Sequence, residues 1–191
     1  MPRADSAGLA RPANDASGNG DARRDSRPYG AYGAAACAAA YGSMKLAQAL
    51  GANALADKDP LPPDLRDRLL ARDPFFVASH WILATAALIG IVVALATIAP
   101  RPTFQRRVLL SIAWILGIFM ITRSIGVGGF GFVGDILLLT DVRPPSAEHA
   151  PLDRMLARWD LFLWSPFFLL WGTCWVLTAR RLTVRRLRPS A

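Results

Sequence analysis

Five polar side chains that could bind or orient a charged group lie near the ends of apolar stretches in this chain. They are Lys45, Gln48, His80, Arg123 and Asp160. Charged residues inside membrane segments are costly, so they tend to be paired or functional. We therefore expect Arg123 to pair with Asp160, whose carboxylate would orient the guanidinium. Together with Lys45, Arg123 would meet an anionic group in a small pocket. Two aromatic side chains, Trp81 and Trp159, are expected at its rim.

The same residues also have a purely structural interpretation. Asp160 would cap the last helix and oppose its dipole. Arg123 and Lys45 would extend to the lipid headgroups, and the two tryptophans would anchor the helices at the interface. We weigh this interpretation above the pocket.

The elements that must position these residues are membrane spans. The stretch from Trp81 to Ala99 is nineteen residues without a charge and is followed at once by Pro100. At about 1.5 Å per residue it reaches roughly 29 Å, which matches the hydrocarbon core of a bilayer. A segment of this length without a charge is not expected on the surface of a soluble domain. The sequence thus predicts an all-α, four-helix transmembrane bundle.

The four helices are predicted at about 29–50, 80–99, 108–127 and 161–178. Residues 1–28 carry few large apolar side chains and are predicted to be a disordered tail. The first helix is rich in alanine and glycine, which allows close packing in lipid. The fourth contains Pro166, where we expect a kink. A short amphipathic helix is expected near 63–71, and a basic segment, 181–191, closes the chain.

Positive charge predicts the orientation. The chain has a net charge of +8, and its basic residues flank the apolar segments. With four spans, thirteen arginines in the tail, the 100–107 loop and the C-terminus share one side, against seven basic residues in the longer loops opposite. Basic residues favour the cytoplasmic side, so both termini are predicted in the cytoplasm of a bacterial inner membrane. This distribution argues against nucleic-acid binding.

No motif in the sequence indicates a metal, a cofactor or a catalytic triad. His80 and His149 are far apart and lack a set of further ligands. Cys37 and Cys174 belong to no metal or redox motif, and we expect buried inert thiols. Three tryptophans at helical spacing in the last span are expected to pack or contact lipid.

Three motifs resemble those of the bacterial domain-of-unknown-function family 3995, a family of small four-helix membrane proteins. The closing motif contains Ala157, Trp159, Asp160, Ser165 and Pro166. Arg123, Ile125 and Gly126, with the 130–134 run, resemble a second motif, and residues 45–51 resemble a first-helix motif. The chain departs from these motifs at Ala47, Gln48 and Val127. The resemblance implies four helices and no known activity.

The sequence therefore predicts a non-enzymatic, multi-pass membrane protein that binds a lipid, such as an anionic lipid, or a membrane-protein partner. The alternative is a small transporter or membrane enzyme with an outward-facing site built on Arg123 and Asp160.

Overall fold

The computed structural model describes residues 27–52, 68, 71–126, 131–143 and 149–187, with the side chains of 185–187 left out. Within these ranges every regular element is helical, which confirms the all-α prediction. The helices are α1 (Tyr29–Ala49), α2 (Pro74–Ala96), α3 (Thr103–Ile125), α4 (Phe132–Leu139), α5 (Ala150–Trp159), a π-helical segment (Asp160–Trp164) and α6 (Ser165–Leu187). The predicted tail and most of the predicted 63–71 helix lie outside the described residues.

Four long helices form an antiparallel arrangement. α1 packs between α2 and α6, and α3 packs along the other side of α6, whereas α2 and α3 barely touch. Among the described helices three are long and apolar enough to cross a membrane. They are α2, α3 and the continuous helix formed by α5, the π-helical segment and α6. Large apolar side chains remain exposed on α2 and α3, including Ile82, Leu88, Ile89, Ile115, Ile118 and Phe119. Such faces suit contact with lipid.

α1 joins the bundle through small residues rather than through hydropathy. Its buried positions are mostly alanines, and a Cβ placed on Gly33 would lie 2.6 Å from Sγ of Cys174 on α6. Small side chains let helix backbones approach closely in lipid. Alanine contributes little to membrane insertion. Among the long helices of the described residues, α1 is therefore the one that does not reach the apolarity expected of a span.

α3 and α6 approach closely at a pair of glycines. A Cβ on Gly172 would lie 3.0 Å from the carbonyl oxygen of Gly117 and 3.0 Å from the backbone nitrogen of Ile121. The core continues from this crossing to α1 through Trp171 and Trp175, which are both buried. The tryptophans at helical spacing thus serve packing inside the protein rather than contact with lipid.

Two helices begin earlier than the sequence predicted. α2 starts at Pro74 rather than near residue 80, because Oδ1 of Asp73 accepts a hydrogen bond from the Phe75 N–H at 2.9 Å. An aspartate cap followed by proline is a strong helix start. α3 starts at Thr103 rather than residue 108, so its first turn contains polar residues beyond the apolar run. It ends at Ile125, where Gly126 has a φ of 105°.

The last helix is continuous from Ala150 to Leu187, so it begins before the predicted span at 161 and continues into the predicted basic segment 181–191. The turn preceding Pro166 is a π-helix in which the Ser165 N–H bonds to the carbonyl of Asp160. Proline has no N–H and crowds the preceding turn, which the wider π-helix accommodates. Asp160 therefore lies inside a helix and cannot cap one, which overturns the structural interpretation for this residue.

Candidate functional site

The structure brings Arg123 and Asp160 together at one end of the bundle. Nη2 of Arg123 donates to Oδ1 of Asp160 at 2.9 Å, and Nη1 donates to Oδ2 at 3.4 Å. The Asp160 side chain is fully buried, while the Arg123 side chain is 27% exposed. The carboxylate thus lies inside the protein and the guanidinium faces partly outward.

Two serines hold the helices on either side of this pair. Oγ of Ser165 donates to Oδ2 of Asp160 at 3.4 Å, and Oγ of Ser124 donates to the carbonyl of Ser165 at 2.8 Å. Both serines are fully buried. A carbonyl oxygen has two lone pairs, so the Ser165 carbonyl at the start of α6 can accept the Ser124 hydroxyl in addition to a bond within the helix. This bond ties α3 to α6, while the π-helical turn just before it carries Asp160.

Asp135 on α4 is the third ionisable member of the cluster, and the sequence analysis missed it. Its side chain is 2% exposed and lies within hydrogen-bonding reach of the Asp160 carboxyl. The pKa of the Asp135 carboxyl is raised to about 7: burial is the largest cause, the charge and hydrogen bond of Asp160 act in the same direction, and Arg123 and the Gly131 backbone oppose the shift. A single acid in the apolar helix FVGDILLL is the signal that could have revealed it.

Lys45 is connected to this cluster through aromatic rings. Its Nζ lies 5.7 Å from the centroid of the Tyr41 ring, and the Tyr41 and Phe168 centroids are 6.0 Å apart. Cζ of Arg123 lies 5.3 Å from the centroid of Phe168. Lys45 is only 6% exposed, so it does not extend to the headgroups as the structural interpretation proposed. Two cations thus flank one pair of aromatic rings from α1 and α6.

The other predicted residues lie at the same end but take different roles. Gln48 is buried one turn beyond Lys45 on α1. Nδ1 of His80 donates to the Phe76 carbonyl at 2.8 Å within its own helix. Trp159 is half-buried beside Asp160, and Trp81 is largely exposed. Within the described ranges no group of three His, Cys, Asp or Glu side chains could hold a metal.

A separate cavity of about 310 Å³ opens at the opposite end of the bundle. It is lined by Thr97, Ala99, Pro100, Arg101, Arg106, Leu109 and Leu182. A guanidinium N–H of Arg106 donates to the carbonyl of Leu182, which joins the start of α3 to α6. Arg101 is exposed and not held in this way. The sequence analysis used these arginines only to predict orientation and did not foresee a cavity between them.

The two ends of the molecule therefore differ in what they can do. The Arg123 end has a buried cluster of one guanidinium and two carboxyl groups, and the Arg101 end has an open cavity lined by two arginines. Searches of protein-family models, curated proteins and solved structures find no match to this chain.

Proposed function

We propose that the chain is a non-enzymatic, multi-pass protein of the bacterial inner membrane that binds an anionic phospholipid. The observation that carries the proposal is the cavity containing Arg101 and Arg106 at the end where the arginines collect. A phosphate group bound there would contact the exposed guanidinium of Arg101. Basic pockets between membrane helices bind anionic headgroups in this way.

The predicted outer pocket suits an anion less well. The guanidinium of Arg123 is already paired with Asp160 through two hydrogen bonds, and Asp135 lies beside the pair. A bound anion would have to compete with two carboxyl groups. We therefore place the lipid at the other end of the bundle.

The surroundings of the cavity suit a phospholipid better than a free anion. No side chain caps the N-terminus of α3, so the positive end of the helix dipole faces this end of the bundle. Phe104 in the first turn is exposed, as expected for a side chain at the headgroup level. Leu109 and Leu182 add an apolar wall to the cavity, which a headgroup joined to acyl chains would contact.

The charge distribution supports a cytoplasmic position for this cavity. Arg107 and Arg180 lie at the same end, outside the cavity lining. Under the positive-inside rule this end faces the cytoplasm, where it meets the anionic inner leaflet. Each basic residue near such a surface contributes about 1 kcal/mol to attraction.

The proposal predicts that Arg101→Gln lowers the retention of anionic lipid several-fold, because it removes the exposed cation of the cavity. Wild-type and variant proteins are incorporated into nanodiscs containing equal phosphatidylglycerol and phosphatidylcholine, and the lipids that remain bound after detergent exchange are quantified by mass spectrometry. Wild type is expected to be enriched in phosphatidylglycerol.

Arg107→Gln is the matched control. It removes one positive charge from the same end of the bundle but does not line the cavity, so enrichment should persist. Equal losses in the two variants would mean that only general surface charge attracts the lipid, and no enrichment in wild type would refute the proposal.

A small transporter or membrane enzyme using Arg123 and Asp160 is the second candidate. One observation favours it, namely a buried Asp135 carboxyl beside the ion pair. Solute or proton flux into vesicles containing the purified protein would support this candidate. The resemblance to family 3995 stays a prediction.

A further inference from the structure

The cluster of Arg123, Asp135 and Asp160 is out of charge balance when all three groups are ionised. Two carboxylates then face one guanidinium, and both acids are almost completely buried. An uncompensated charge in such surroundings is costly. One added proton makes the cluster neutral.

One oxygen of the Asp135 carboxyl also lacks a donor. Its Oδ2 is buried and has no hydrogen-bond partner in the described part of the chain. The neighbouring Asp160 carboxylate accepts hydrogen bonds from Arg123 and Ser165. An ionised carboxylate has no proton, so it cannot donate a hydrogen bond to Asp135. We propose that Asp135 and Asp160 form a proton-binding site, in which one proton shared between the two carboxyls holds α4 against the bundle.

The position of α4 explains why this proton matters for structure. α4 has only eight residues and packs against α3, α5 and the π-helical segment. Glycines with positive φ stand at the end of α3 and directly before α4, at Gly126 and Gly131. The carboxyl pair joins α4 to the last helix, and Arg123 on α3 completes the contact.

The charged groups around Asp135 are few. Arg123 faces it from α3 and Asp160 from the π-helical segment. α5 carries Asp153, Arg154 and Arg158, but none of these is among the charges acting on Asp135. Arg154 instead pairs with Asp141 beyond the end of α4, at 2.7 Å on the exposed surface. Among the described residues, the proton shared by Asp135 and Asp160 is thus the one whose loss is expected to change the net charge of the contact between α4 and the bundle.

The sense of the pH dependence follows from the raised pKa of Asp135. The docked state holds the proton up to a pH of about 7, whereas an exposed aspartate releases it near its ordinary value. The docked state therefore binds more protons in this interval, and its stability falls as the pH rises through it. Docking of α4 is firmest in acid and weakest above pH 7. The proton comes from water and returns to water.

The test uses the full chain in nanodiscs of phosphatidylcholine, so that its outcome does not depend on anionic lipid. Infrared difference spectra are recorded while the pH is raised from about 5 to about 9, an interval centred on the raised pKa. We expect the carbonyl band of a protonated carboxyl at low pH, lost with a midpoint near 7. Hydrogen exchange in α4, corrected for the intrinsic pH dependence, should rise over the same interval.

Two variants assign the signal. Asp135→Asn should remove the titrating band and keep α4 protected at every pH, because the amide is a permanently neutral substitute. Asp141→Asn, which alters the exposed pair nearby, should change neither readout. A wild-type protein with no carboxyl titrating in this interval would overturn the proposal even if a variant fails to fold. A band that persists in folded Asp135→Asn would also overturn it.

Discussion

At the scale of single residues, the described part of the chain contains two arginine–aspartate pairs that differ in burial rather than in distance. Arg154 and Asp141 are 2.7 Å apart with the carboxylate side chain 61% exposed, and Arg123 and Asp160 are 2.9 Å apart with the carboxylate fully buried. Water screens the charges of the exposed Arg154–Asp141 pair, and holding two flexible side chains in one geometry costs entropy. The exposed pair therefore contributes little to stability. Removing one partner of the second leaves a charge without compensation. The shorter contact is thus expected to matter less.

Asp160→Ala should lower the free energy of unfolding by about 3 kcal/mol, the lower end for a broken buried pair because Asp135 is close enough to replace part of the interaction. Asp141→Ala should change it by less than about 1 kcal/mol. Both values can be measured by denaturant unfolding in detergent micelles. Similar losses in the two variants would show that the buried pair has no special role.

The sequence predicts this pair better than its surroundings. A charged residue near the end of an apolar run is conspicuous, which is how Arg123 and Asp160 were identified. Asp135 lies in a short helix that follows a glycine-rich stretch, and no span prediction includes it. The stacking of Arg123 over Phe168 depends on how helices pack, which hydropathy does not determine.

At the scale of helices, the glycines differ in how closely the neighbouring helix approaches them. A Cβ on Gly172 would meet backbone atoms of Gly117 and Ile121 on α3, both at 3.0 Å. A Cβ on Gly90 of α2 would meet only the Ala38 side chain, at an ordinary contact distance of 3.7 Å. Backbone cannot move aside as a flexible side chain can, so the two positions differ in tolerance.

Gly172→Ala should therefore destabilise the protein by about 1–3 kcal/mol, since α3 and α6 must separate to admit the methyl group. Gly90→Ala should be neutral or stabilising by up to about 1 kcal/mol, because alanine is the better helix former. Thermal unfolding of the two variants in the same detergent makes the comparison. Equal tolerance at both positions would contradict the described crossing of α3 and α6.

The four long helices and their order were predictable, and their limits were not. α1 ends within one residue of its predicted limit because Gly51 follows it, with a φ of 102°. α2 begins directly after Asp73, which caps it ahead of the charge-free run, and the last helix begins in the polar sequence of α5. An apolar run marks the part of a helix that lies in lipid and leaves out the turns that extend into water.

At the scale of the whole molecule, the four-span arrangement predicts which ends share a side of the membrane. Side-specific reporters inserted at residue 59, between Pro102 and Thr103, and at the C-terminus should give an external signal only for the first. The physical reason is the excess of arginine at the other two positions.

An internal signal at residue 59 would mean that α1 does not cross the membrane. Lys45 would then be brought to the cluster by packing alone, and the count of spans would fall to the three that hydropathy supports. An external C-terminus would reverse the orientation and remove the cytoplasmic position proposed for the cavity.

One helix connects the two ends of the protein mechanically. Asp160 and Leu182 lie on the same continuous rod, roughly 33 Å apart along its axis. A π-helical turn has one residue more than an α-helical turn, so its conversion to regular helix would turn everything beyond it by about 100°. The carbonyl of Leu182 would then rotate away from Arg106, which it holds in the present state. The irregular turn beside Asp160 thus sets the angular register of the distant arginine cavity.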